Sequence, residues 1–395
     1  MKRIKWLDML KLRASYGEVG DDNVSTRWLY MNQWAYLENS ATSLDTNHGT
    51  SPYHWYREAS VGNPDVHWEK SVKKNIGLDF SVFDGLFIGS VDIFNDRRSD
   101  ILIGGSNRAV PSYYGQTAPT ANLGRVKNSG YELQLKFNKV LPNKMRFWAD
   151  MNMTHAVNKV LAKDDQPLLP SYRKQAGYAI DQTKAYISKD HMNTYDDIYG
   201  SPKFDSNDNQ KLAGDYYIVD FNGDGVVDVN DQAPYGYSSV PQNTYNATLG
   251  WEWKGFSCFV QFYGVTNVTR NVSLANFSGK LDTVYDQGSW WSVSNEEADV
   301  PVSRWNSTPA SYADGTRYYY DGSYIRLKNA QIAYNFTQPW VHNMGLSYLQ
   351  LYVSGNNLWV WSRMPDDRES NFAGWGSQGA YPTVRRINFG LKLGF

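Results

Sequence analysis

The residues from Arg385 to Phe395, RRINFGLKLGF, alternate without a break. Ile387, Phe389, Leu391, Leu393 and Phe395 take one side, and Asn388, Gly390, Lys392 and Gly394 take the other. A period of two places these sets on opposite faces of a β-strand, one apolar and one polar. The pattern recurs along the chain. Leu10, Leu12, Ala14 and Tyr16 alternate with Lys11, Arg13 and Ser15, and Ile76, Leu78, Phe80 and Val82 with Gly77, Asp79 and Ser81. Val91 and Ile93 oppose Ser90 and Asp92, and Tyr131, Leu133, Leu135 and Phe137 oppose Glu132, Gln134, Lys136 and Asn138. Further strands are predicted around Phe147–Met153, Tyr245–Trp253, Phe256–Tyr263, Ala330–Phe336 and Leu349–Val353, about ten in all.

The connections between these strands restrict the fold further. Asp84-Gly85, Pro142-Asn143 and Lys254-Gly255 mark tight or short turns, and a medium turn carries Pro339 and Gly345. Between them lie long polar stretches, the longest from about Asn158 to Thr244. Antiparallel neighbours then put every long connection at one end and every short one at the other. That asymmetry belongs to outer-membrane β-barrels, whose strands face lipid on one side and a polar lumen on the other. The expected fold is all-β: an antiparallel transmembrane β-barrel segment of about ten strands with long extracellular loops and short periplasmic turns.

Composition agrees with this. Aromatic residues make up 15% of the chain, a surplus that suits interfacial aromatic girdles or platforms for sugars and peptides. Mean hydropathy is −0.58 and no apolar run approaches the ~20 residues of a membrane helix, which excludes a helical membrane protein but not a barrel. The net charge of −1 gives no reason to expect nucleic acid. Cys258, the single cysteine, reads as a small apolar residue sharing a strand face with Phe256, Val260 and Phe262. The opening MKRIKWLDMLKL lacks the apolar core and cleavage site of a signal peptide, so the barrel reading expects the leader to lie outside these residues.

One motif carries metal chemistry. In DFNGDGVVDVND, Asp220, Asn222, Asp224, the Val226 carbonyl, Asp228 and Asp231 occupy positions 1, 3, 5, 7, 9 and 12 of a calcium loop, with Gly225 at the sharp turn. Clustered carboxylates repel one another unless a cation or water screens them, so a structural Ca2+ stiffening an extracellular loop is expected across residues 220–231. The six histidines form no zinc-ligand spacing, and neither a nucleophile elbow nor a phosphate loop is present, so no catalytic group is predicted. Trp290, Trp291, Trp305, Tyr319 and Trp375 lie in the long loops, where flat apolar faces with polar rims could hold an oligosaccharide or peptide ligand.

The ordered stretches LKLRASYGEVG, NPDVHWEKSVKKNIGLDFSVF, GSVDIFNDRRSDIL, NSGYELQL, DFNGDGVVDVNDQAPYG and SGNNLWVW, with the ending AYPTVRRINFGLKLGF, resemble TonB-dependent outer-membrane transporters of the SusC/RagA type, in their C-terminal barrel portion. The resemblance covers nearly the whole chain. It implies part of a 22-stranded barrel in the outer membrane of a Gram-negative bacterium, with the plug, the TonB box and the first strands outside residues 1–395. It also implies import of glycan or peptide fragments with a SusD-like surface lipoprotein as lid, energised by the TonB complex. Phe389, Leu391, Leu393 and Phe395 would then form the signal read by the barrel-assembly machinery. Two other readings fit the composition: a soluble or surface-attached β-rich carbohydrate-binding module with a calcium-stabilised loop, and a calcium-dependent secreted hydrolase.

Overall fold

The computed structural model describes residues 5–22, 26–37, 55–271, 291–298, 301–302, 315–364 and 383–395. Ten long strands follow one another as neighbours in a single antiparallel sheet, in the order of the chain. They are β1 (Leu7–Asp21), β2 (Glu69–Val82), β3 (Phe87–Ile103), β4 (Ala121–Val140) and β5 (Arg146–Ala162), then β6 (Asn243–Trp253), β7 (Phe256–Thr266), β8 (Tyr324–Asn335), β9 (Tyr348–Ser362) and β10 (Arg386–Gly394). The sheet's two edges are β1 and β10. The short connections 83–86, 141–145, 254–255 and 336–347 all lie at one end, and 22–68, 104–120, 163–242, 267–323 and 363–385 at the other.

The turns obey local chemistry. Lys254 and Gly255 both have positive φ, 47° and 87°, as a two-residue hairpin requires if its twist is to match the strands. Phe83, Asp84 and Gly85 are likewise left-handed, and the Leu86 amide closes the turn on the Phe83 carbonyl at 3.2 Å. The connection 336–347 holds a short helix, Pro339–Asn343, with proline in its first turn, where a missing N–H costs nothing.

Register aligns the apolar sides of all ten strands into one surface. Leu12, Leu78, Val91, Leu133, Met153 and Tyr245 are successive cross-strand neighbours, as are Cys258, Ile332, Val353 and Phe389. These apolar side chains are not covered by protein: Leu12 is 73% exposed, Ile332 65% and Phe389 81%. Aromatic rings flank the band. Towards the short turns stand Trp6 against Phe83, Phe87 against Phe137, Trp251 with Trp253, and Phe256, Tyr334, Phe336 and Trp340 in sequence. Towards the long loops stand Tyr131 stacked on His155, and Phe262, Trp361 and Trp359. An exposed apolar band between two aromatic belts is the outer surface of a membrane barrel.

The strands run further towards the long loops than their alternation suggests. β1 continues to Asp21, β4 begins at Ala121 and β5 ends at Ala162. Beyond the aromatic belt both faces carry polar residues, so periodicity fades while the hydrogen-bond ladder goes on.

Candidate functional site

The polar face of the sheet is the first part of the site. Near the β1 edge, Arg13 reaches across β2 and grips two carboxylates. Its Nε and Nη2 donate to Asp79 at 2.9 and 2.8 Å, and its Nη1 and Nη2 donate to Asp92 at 3.1 and 2.8 Å. Gly77 makes this possible, since a Cβ there would come within 2.5 Å of Asp92 Oδ1 and 2.8 Å of Arg13 Cζ. Further along the face, Lys136 approaches Asp150 at 3.8 Å and Arg146 approaches Glu252 at 3.4 Å.

The other half of the face carries side-chain amides. Asn388 on β10 donates to Asn356 on β9 at 3.4 Å, Asn356 donates to Asn329 on β8, and Asn329 donates to Gln261 on β7. Gln261 in turn donates to Asn246 on β6 at 3.0 Å. Five strands are thus crossed by one row of amides, each of which keeps hydrogen-bonding capacity for a further polar group. Ion pairs and side-chain amides thus line this face with polar groups.

The long-loop end builds its own small core. The connection 163–242 contributes Tyr186, Phe204, Tyr216, Ile218 and Val227, joined by Tyr318 from the connection 267–323. Short pairings hold it: Lys184–Tyr186 with Gln232–Pro234, Ser188–His191 with Tyr216–Ile218, and Lys203–Phe204 with Val226–Val227. The His191 ring stacks on Tyr216 at 4.6 Å and lies within hydrogen-bond reach of the carbonyls of Gly214 and Ala298, at 3.0 and 2.8 Å, so it ties the two connections together.

At one corner the buried Lys211 ammonium lies over Phe204 at 4.2 Å and meets Asp208 at 2.7 Å, while Asp208 also accepts the Phe204 amide at 2.9 Å. Burial alone would raise the Asp208 carboxyl, but Lys211 and the Phe204 amide hold it below its ordinary value. A lowered value in the folded state means that the contribution is complete above the ordinary carboxylate range, about pH 4, and is lost as pH falls through the lowered value. The Phe204 amide resonance is expected to be constant from pH 7 to 5 and to shift only in more acidic solution.

The acidic loop lies beside this core. Asp220 accepts the Gly223 and Gly225 amides, both at 2.7 Å, Asn222 accepts Asp224, and Asp224 accepts Val226. Asp228 accepts the Asn230 amide at 2.6 Å. Fully buried Asp231 takes three amides, those of Phe221, Asn222 and Asp228, at 2.7, 3.2 and 2.8 Å. Gly225 has φ +90°, the conformation foreseen at the sharp turn. The oxygens thus serve the loop's own backbone. Among the described residues no three His, Cys, Asp or Glu side chains are grouped to hold a metal ion.

The aromatic candidates divide. Trp291 packs into the loop core: its Nε1 donates to Asn193 at 2.8 Å, and its ring lies against Gly214. Tyr319 pairs in a short ladder with Asn271 and faces Tyr235 edge-on at 6.3 Å. It lines an open cleft of about 490 Å³ with Tyr235, Tyr237, Asn267, Tyr320 and Asp321. Trp290, Trp305 and Trp375 lie outside the described residues. Phe389, Leu391, Leu393 and Phe395 stand exposed on the apolar face at the β10 edge, with Phe395 92% accessible. Sequence reasoning missed the amide row, the Arg13 cluster and the Tyr235–Tyr237 wall, because each depends on register across connections that carry no periodicity.

Comparison with known proteins agrees with this geometry. The family model described as TonB dependent receptor-like, beta-barrel matches residues 4–358. TonB-dependent receptor P3 of Formosa agariphila is 26% identical, over 98% of this chain and 39% of the relative. TonB-dependent receptor SusC of Bacteroides thetaiotaomicron is 22% identical, over 86% of this chain and 33% of the relative. Among solved structures, the one described as the RagAB peptide transporter superposes with a TM-score of 0.72 at 19% identity, over all of this chain and 41% of that one. The chain therefore spans about two fifths of the length of the first relatives it matches. On the family match, which covers most of its length, the chain belongs to the TonB-dependent receptor-like β-barrel family.

Proposed function

We propose that this chain forms part of the wall of a TonB-energised importer in the outer membrane of a Gram-negative bacterium. The exposed apolar band between two aromatic belts, backed by a polar face, carries this reading. The edges β1 and β10 pair with further strands in the closed barrel, because an unpaired backbone group in lipid costs several kcal/mol. The solute is a glycan or peptide fragment, delivered with a SusD-like surface lipoprotein and handed along the polar face. The Tyr235–Tyr319 cleft and the amide row are the surfaces for it. Phe389, Leu391, Leu393 and Phe395 serve as the barrel-assembly signal.

Calcium is the proposed ligand of the 220–231 loop, on the strength of its spacing and the left-handed Gly225. Absence of a calorimetric calcium response from the folded chain would remove it. The membrane role is tested in outer-membrane fractions of cells that make the protein. A chain that resists carbonate extraction and migrates faster before heating than after fits the proposal. A water-soluble, folded monomer overturns it in favour of a surface binding module.

A further inference from the structure

On the face that carries the apolar band, one row of side chains is out of keeping with its surroundings. Register places Arg97 on β3 opposite Lys127 on β4, and Lys127 opposite Lys159 on β5. Directly opposed residues have Cβ atoms about 4.5–5.5 Å apart, and like charges at that spacing repel. Among the described residues none of the three is in an ion pair. Glu18 at the end of the same row is two strands from Arg97, and it is taken by Lys70 and the Tyr16 hydroxyl, both at 2.7 Å. Several cations on the polar face are treated differently. Arg13, Lys136 and Arg146 all meet carboxylates there, and Arg98, next in sequence to Arg97, bonds Asp21 at 2.9 Å.

The row has a definite height. Tyr131 and His155, stacked at 5.0 Å, belong to the aromatic belt and lie four residues from Lys127 and Lys159 along their strands, on the side of the short turns. Four residues of strand span roughly 13 Å, or roughly 10 Å along the membrane normal at the usual tilt. With the long loops outside the cell, that is the headgroup level of the outer leaflet. A triad of cations facing lipid there is complemented by an anion fixed in the leaflet, since a phosphate accepts charge-assisted hydrogen bonds from all three.

We propose that Arg97, Lys127 and Lys159 form a binding site for the phosphate of an outer-leaflet glycolipid. This rests on the apolar face being the membrane face, so the test separates the two claims. The full chain, purified from outer membranes and stripped of lipid in detergent, is titrated with phosphorylated lipid A, with the same lipid after phosphatase treatment, and with inorganic phosphate. Phosphorylated lipid A is expected to bind at least about tenfold more tightly than the dephosphorylated form, each surface cation being worth about fivefold. Millimolar inorganic phosphate should not displace it.

The triple variant Arg97→Gln/Lys127→Gln/Lys159→Gln should lose the discrimination, while Lys139→Gln, at the short-turn end, keeps it. If the triple variant does not fold, the single variants Arg97→Gln and Lys159→Gln, each expected to lose about fivefold, decide the matter. Equal binding of the two lipids, or variants that bind as the parent does, overturns the site. Displacement by millimolar inorganic phosphate overturns the lipid assignment. Heat-modifiable migration of the parent chain is scored separately: its loss refutes the membrane face, and its presence without lipid discrimination refutes only the phosphate site.

Discussion

Leu249→Arg is expected to deplete the chain from the folded, heat-modifiable fraction of the outer membrane, whereas Thr248→Arg, one residue earlier, leaves it nearly intact. Leu249 lies midway along the apolar side of β6, between Tyr245 and the Trp251–Trp253 pair, with Ala149 and Val260 as cross-strand neighbours. An arginine on the lipid face costs about 2–4 kcal/mol at the bilayer midplane. Thr248 is on the polar face opposite Asp150, whose carboxylate can receive the new cation. Folded yields of the two variants from matched membrane preparations provide the measurement. Equal yields would contradict the assignment of faces.

The second large effect is expected at Asp231. Asp231→Ala strips the acceptor from the amides of Phe221, Asn222 and Asp228 at once. A buried donor left unmade costs about 1–3 kcal/mol, and water can reach part of this loop, so a loss of about 3 kcal/mol of local stability is expected. Because the neighbouring Val227 is buried in the loop core, the damage should spread to the 203–204 pairing. Limited proteolysis should cut within 220–231 in the variant and spare the parent, with Asp231→Asn intermediate because it keeps one carbonyl acceptor. The sheet itself, which receives nothing from Asp231, should retain its heat-modifiable migration.

These two positions also mark how far the sequence could be read. Alternation alone places Leu249 and Thr248 on opposite faces, because lipid on one side and polar groups on the other impose a period of two on the residues between the belts. The acidic loop was legible as a turn with Gly225 at its bend, since its spacing is local. The use of its carboxylates was not, because backbone amides and a cation compete for the same oxygens and spacing describes both. Beyond the belts the signal fades. Ten further residues of β4 precede Tyr131, where alternation was first read, and the His191 bridge to Ala298 joins segments whose pairing no local pattern announces. Register across such connections is set by the folded ladder, so the amide row from Asn246 to Asn388 and the cation row from Arg97 to Lys159 emerged only with it.

The lone cysteine offers the most direct test of the central claim, that one face of this sheet meets lipid. Cys258 lies on the apolar face between Trp251 and Ile332, and Ser257 points to the other face between Glu252 and Ala333. In isolated outer membranes a charged, water-soluble thiol reagent should leave Cys258 unmodified until the protein is denatured. In the variant Cys258→Ser/Ser257→Cys the thiol should react in the intact membrane. Labelling of Cys258 as fast as that of position 257 would contradict the account.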